Sequence, residues 1–83
     1  MENLTASLGL PEDVVLGSLK LSVTAGKRAL VENHRGVLSF SDTQVIIAAK
    51  RGQLAIEGTE LSIMAMTKSQ ILISGKIQTV EWQ

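Results

Sequence analysis

The chain predicts an all-β domain, and three observations carry that prediction. Short runs alternating apolar and polar residues recur from Leu19 to Trp82, each closed by Gly, Asn, Asp or Ser about every 8 residues. The core has to be aliphatic, because one Phe, one Trp and no Tyr accompany a hydrophobic content of 45%. A pattern also repeats: Gly36-x-Leu38-x-Phe40-x-Asp42-x-x-Val45-x-Ile47, then Gly52-x-Leu54-x-Ile56-x-Gly58-x-x-Leu61-x-Ile63, then a looser Ile71-x-Ile73-x-Gly75-x-Ile77.

Taken in order, Met1–Gly9 is mixed and commits to no element; Leu4 and Leu8 stand four apart. Leu10–Gly17 predicts a short helical turn. Pro11 suits its first position, Glu12 and Asp13 sit at the positive end of its dipole, and Gly17 ends it. Leu19-x-Leu21-x-Val23 then alternates as a one-sided strand, Ala25-Gly26-Lys27 turns, and Arg28–Glu32 returns. Asn33 and Gly36 both tolerate the left-handed region and reverse the chain, with His34 and Arg35 expected at a solvated apex. Val37–Ser41 should bury Leu38 and Phe40. Val45–Ala49, apolar on both faces, reads as a central strand. Gln53–Glu57, Glu60–Met66, Gln70–Ser74 and Ile77–Trp82 follow, separated by Gly58-Thr59, Thr67–Ser69 and Gly75-Lys76.

That makes about eight short strands, which predicts a small antiparallel β-sandwich or flattened barrel over residues 18–83, preceded by a segment 1–17 holding the helical turn. A short β-solenoid is the alternative, since Gly36, Gly52 and Ser69 are spaced 16 or 17 residues apart. The out-of-register third copy favours the sandwich.

Composition excludes several classes of function. Eight basic and eight acidic residues cancel without forming a run, which leaves no basic stripe for nucleic acid or an anionic membrane. No stretch approaches the roughly 20 apolar residues of a membrane span. Without cysteine there is no disulfide framework or thiol chemistry. His34 is the sole histidine, and a tetrahedral zinc site needs about four ligands, so neither a metal nor another cofactor is expected. Glu32, two residues before His34, is placed for a weak ion pair at most. The glycines form no phosphate-binding loop and read as turn residues. Glu57 and Glu60 flank a turn as solvated carboxylates rather than an acid–base pair. No catalytic residue emerges. What remains is the turn Glu32, Asn33, His34, Arg35 and Gly36, and a contact surface of Ile46, Met64, Met66 and Leu72, apolar side chains off the expected core face.

From Leu10-Pro11-Glu12-Asp13-Val14 to Glu81-Trp82 the chain resembles the YabP/YqfC family of endospore sporulation proteins. The most specific pieces are Val31-Glu32-Asn33-His34-Arg35-Gly36-Val37-Leu38, Val45-Ile46-Ile47, Gly52-Gln53-Leu54-Ala55-Ile56-Glu57-Gly58 and Ile71-Leu72-Ile73-Ser74-Gly75-Lys76-Ile77. The Glu-Asn-His-Arg-Gly turn looks more like the YqfC branch, and Gly17–Lys27 matches least. The resemblance implies a small, non-enzymatic, all-β protein acting in the mother cell during engulfment or spore-coat assembly. It also implies a membrane-embedded partner that recruits it to the forespore membrane or coat. Two function classes follow: an interaction module, homo-oligomeric or bound to such a partner, or a small-ligand-binding barrel with Phe40, Met64 and Met66 near its pocket.

Overall fold

A computed structural model describes residues 13–83. The strands in chain order are β1 (Asp13–Leu16), β2 (Leu19–Thr24), β3 (Arg28–Glu32), β4 (Val37–Phe40), β5 (Gln44–Ala49), β6 (Gly52–Met66) and β7 (Gln70–Trp82). All pairings are antiparallel, in one seven-stranded sheet of order β1-β2-β3-β7-β6-β5-β4. A solenoid stacks parallel coils, so that alternative is overturned; the all-β antiparallel expectation holds, as one sheet rather than two.

The turn chemistry explains the hairpins. Gly17 at φ 66 opens a two-residue link between Leu16 and Leu19, while Ala25 and Gly26 hold φ 52 and 65, the pair of positive values a type I′ turn requires. The helical turn expected at 10–17 gives way, over Asp13–Leu16, to strand β1 zipped onto β2; its remaining residues 10–12 lie outside the described ones. Valines at 14 and 15 favour the extended state, and four helical residues could not stabilise themselves.

Two expected turns are bends within strands. Fully extended, the 15 residues of β6 would run about 45–50 Å, yet the longest dimension of the molecule is 27 Å. β6 therefore bends at Gly58–Glu60 and β7 at Gly75, with register shifts between Glu57 and Gly58 and between Thr59 and Ser62. A Cβ on Gly58 would lie 1.9 Å from the Lys76 carbonyl oxygen, so only glycine lets the backbones cross there. The bend folds the sheet over one apolar core. Leu19, Leu21 and Val31 from one wing share it with Val45, Ile47 and Leu54 from the other, around Ile56, Ile71 and Ile73.

The wings correspond to one another. Gln53-Leu54-x-Ile56-x-Gly58 matches Gln70-Ile71-x-Ile73-x-Gly75, and each run ends at its bend. Ser74 pairs with Arg28 of β3 as Glu57 pairs with Gln44 of β5. The amides of Gly75 and Ile77 donate to the Lys27 and Gly26 carbonyls, as those of Gly58 and Leu61 donate to Thr43 and Asp42. The second and third copies of the sequence pattern thus mark a pseudo-two-fold, with β2, β3 and β7 equivalent to β4, β5 and β6; the first copy spans β4 and β5 and is not equivalent to either of the other copies.

Candidate functional site

Asn33–Gly36 is the crossover from β3 on one wing to β4 on the other. Asn33 adopts φ 67 and Gly36 φ 121, as their residue types predict. The Asn33 amide donates to the Ser69 carbonyl at 2.6 Å and its side-chain Nδ2 to the Ser18 carbonyl at 2.8 Å. Arg35 N donates to the Ala48 carbonyl and Ala48 N to the Gly36 carbonyl, each at 2.8 Å. Four residues therefore tie together the β1–β2 turn, the β6–β7 turn and β5.

His34 is not at a solvated apex. It is 7% exposed, with Nε2 3.0 Å from the Thr67 carbonyl and Nδ1 accepting the Gly36 amide at 2.9 Å. A carbonyl only accepts, so the partners fix a neutral ring with its proton on Nε2. Both nitrogens are spent on the backbone, which leaves neither for a ligand or a substrate proton. Glu32 turns instead to Gln70, whose Nε2 donates to it at 3.3 Å, and makes no pair with His34.

The second region is the edge that this crossover begins. β4 pairs with β5 on one side only, and its outer edge meets no strand among the described residues. Leu38 and Phe40, expected in the core, are 59% and 49% exposed. Leu38 falls at a register shift between Val37 and Ser39, which breaks the alternation, and Phe40 faces the core side where no outer strand covers it. Among the described residues the second half of β6 has a free edge too, because its pairing with β5 ends at Gln44–Glu57. Met64 and Met66 there are 59% and 57% exposed. A further shift between Ile63 and Ala65 sets Met66 opposite Ile71, on the core side, and not with Ser62 as alternation alone suggests. These two edges are tied at one end by Leu61 N to the Asp42 carbonyl at 2.8 Å, and at the other by His34 to Thr67. Between the ties they form an unpaired seam flanked by Leu38, Phe40, Met64 and Met66.

Ile46 and Leu72 do not join that seam. Ile46 lies half-buried on the outer face between Ser39 and Ala55, and Leu72 half-buried between Leu30 and Ala65 on the other wing. Leu38 and Phe40 are the surface residues that sequence reasoning missed. No local signal marks them: β4 carries neither the charge nor the proline of an edge strand, so it reads as core. Two shallow grooves lie elsewhere. One, at the bend, is lined by Lys27, Glu60, Gly75 and Lys76; the other, at the far end of β7, by Leu16, Gly17, Ala49, Arg51 and Trp82. Neither involves Phe40, Met64 or Met66. No helix of the described residues is long and apolar enough to cross a membrane.

Comparison with known proteins matches residues 16–83 to the model of the YabP family. The chain is 34% identical over 79 residues to an uncharacterized protein, YqfC, of Bacillus subtilis (strain 168), covering 95% of this chain and 85% of that one. No solved structure matches.

Proposed function

The chain belongs to the YabP family, and from that premise we propose that it is a non-enzymatic assembly module of endospore formation. It works in the mother cell during engulfment or coat assembly, docking through the seam on a protein partner. A membrane-embedded sporulation protein that draws it to the forespore membrane or coat is the partner the family resemblance implies. One observation carries the reading: large apolar side chains are exposed on the two free edges of the seam, while the interior side chains are sealed at 0–3% exposure. Adaptable methionines beside an unpaired strand edge suit a protein contact by main-chain pairing. A strand added there would bring the sheet toward the flattened barrel that the sequence suggests.

The ligand-binding alternative is weaker, because Phe40, Met64 and Met66 stand exposed along the seam and the two grooves are lined by other residues. The neutral overall charge suits neither nucleic acid nor a purely electrostatic membrane contact. The test replaces the gene of a spore-forming host with Phe40→Asp or Met66→Asp alleles. Both side chains are exposed, so the proteins should fold and accumulate, while heat-resistant spore counts should fall by tenfold or more. Normal counts from folded, normally abundant variants would refute the reading.

A further inference from the structure

The two wings differ in one respect. β2 carries β1 along its outer edge, whereas its equivalent β4 carries no strand among the described residues. The side chains register that difference. Leu54 pairs with Trp82 as Ile71 pairs with Met66, so Trp82 and Met66 occupy matching positions. Trp82 is half-buried, sharing a groove with Leu16, Gly17 and Ser18 at the β1–β2 turn, while Met66 is 57% exposed. The internal symmetry of the fold provides a place for an eighth strand, antiparallel to β4, that one wing fills and the other, among the described residues, does not.

The chain contains a segment of the right pattern. Leu4-Thr5-Ala6-Ser7-Leu8-Gly9-Leu10 alternates apolar and small polar residues strictly, is uncharged throughout, and is closed by Pro11, which cannot continue a ladder. It lies outside the described residues, immediately ahead of β1. Paired along β4, its four apolar side chains would cover one face of the seam and leave Thr5, Ser7 and Gly9 to water. On its own copy it is held by a short tether. Leu10 stands three residues from Asp13, a reach of about 10 Å. β1 and β4 are the first and last strands of the sheet order and stand on opposite wings of the core, whereas a second copy, free of that tether, can present the whole segment to the edge. We propose that the open edge of β4 takes the Leu4–Leu10 segment of a second copy of this chain. Each copy then donates at one end and accepts at the other, and a head-to-tail contact of this kind closes into a ring or runs on as a filament. This rests on the assembly reading above and gives it a mechanism.

The test is complementation in solution with the full chain. At about 0.1 mM the protein should scatter light as two or more chains. Leu8→Asp spoils the donor, and Phe40→Asp spoils the acceptor at an exposed position; Leu38→Asp is a second acceptor variant should the first fold poorly by circular dichroism. Each should be monomeric alone. An equimolar mixture of one donor and one acceptor variant should form a 1:1 dimer and nothing larger, because one good donor meets one good acceptor. A monomeric parent chain, undiminished assembly by Leu8→Asp, or a mixture that stays monomeric would each overturn the proposal. If the chain is monomeric yet Phe40→Asp still abolishes spores, self-assembly falls and the docking reading stands. Normal sporulation by a variant that no longer assembles would do the reverse.

Discussion

His34 offers the sharpest check on the crossover. Replacing it with alanine removes two hydrogen bonds, from Nε2 to Thr67 and from Gly36 to Nδ1, at a position 7% exposed. Each is worth about 1 kcal/mol net, and the orphaned Gly36 amide and the gap left by the ring add to that, so His34→Ala should cost about 2–3 kcal/mol. At 0.05–0.15 kcal/mol per residue a domain this size holds roughly 4–12 kcal/mol in all. With a urea slope near 1 kcal/mol per M for a small protein, the unfolding midpoint should fall by about 2–3 M. Partial mimics apportion the loss. Asn places its amide oxygen where Nδ1 sits and should keep the Gly36 bond; Gln places its amide nitrogen where Nε2 sits and should keep the Thr67 bond. Each should recover about 1 kcal/mol. Arg35→Ala, one residue on and exposed, should stay within about 0.5 kcal/mol. A His34→Ala midpoint indistinguishable from that of Arg35→Ala would mean that the ring is solvated and does not join the wings.

The bend glycines separate clash from strain. Gly58→Ala meets the Lys76 backbone, and Gly75→Ala combines φ 131 with a Cβ 2.5 Å from the Glu60 carbonyl oxygen; each should lower stability by about 3 kcal/mol or more in urea unfolding. Gly36→Ala has open space around it and φ 121, so it should cost only backbone strain, about 1–2 kcal/mol. Trp82 packs against the core and against Gly52, so its native emission should be blue-shifted and move red on unfolding; solvent-like emission before unfolding would make it a surface residue. Trp82→Ala, half-buried, should cost about 2–4 kcal/mol by thermal unfolding, somewhat below the range for a fully buried ring.

How far the sequence could be read depended on how local the determining physics was. Alternation placed Leu19, Leu21, Val45, Ile47, Leu54, Ile56, Ile71 and Ile73 inside, because side-chain direction in a strand is set by the neighbouring residue. Positive φ at Asn33 and Gly36 was legible for the same reason. The bends were not, because Gly58 and Gly75 look like turn glycines until the backbone that each must pass is known, and that backbone belongs to the other strand. His34 was misjudged likewise. Its partner Thr67 is 33 residues away, and a histidine beside Asn and Gly carries no local sign that a distant carbonyl awaits it.

The repeat held more than its period suggested. The spacing of Gly36, Gly52 and Ser69 invited a stacked coil, but the residues that correspond are Gly58 and Gly75, each at the bend of one of two wings facing one core. A duplicated unit of this kind fixes where departures from symmetry must be explained. In the interior the match is close: Ala29 and Val31 of β3 take the places of Val45 and Ile47 of β5, all at 0% exposure, because one core has to be filled from both sides. At the rim it fails beside β4, where β1 has no counterpart among the described residues. Leu38, Phe40, Met64 and Met66 line that place, and an uncharged exposed edge is an aggregation hazard unless something covers it. Exposed apolar residues at that break in symmetry suit a contact, and the contact that suits an unpaired edge is a strand.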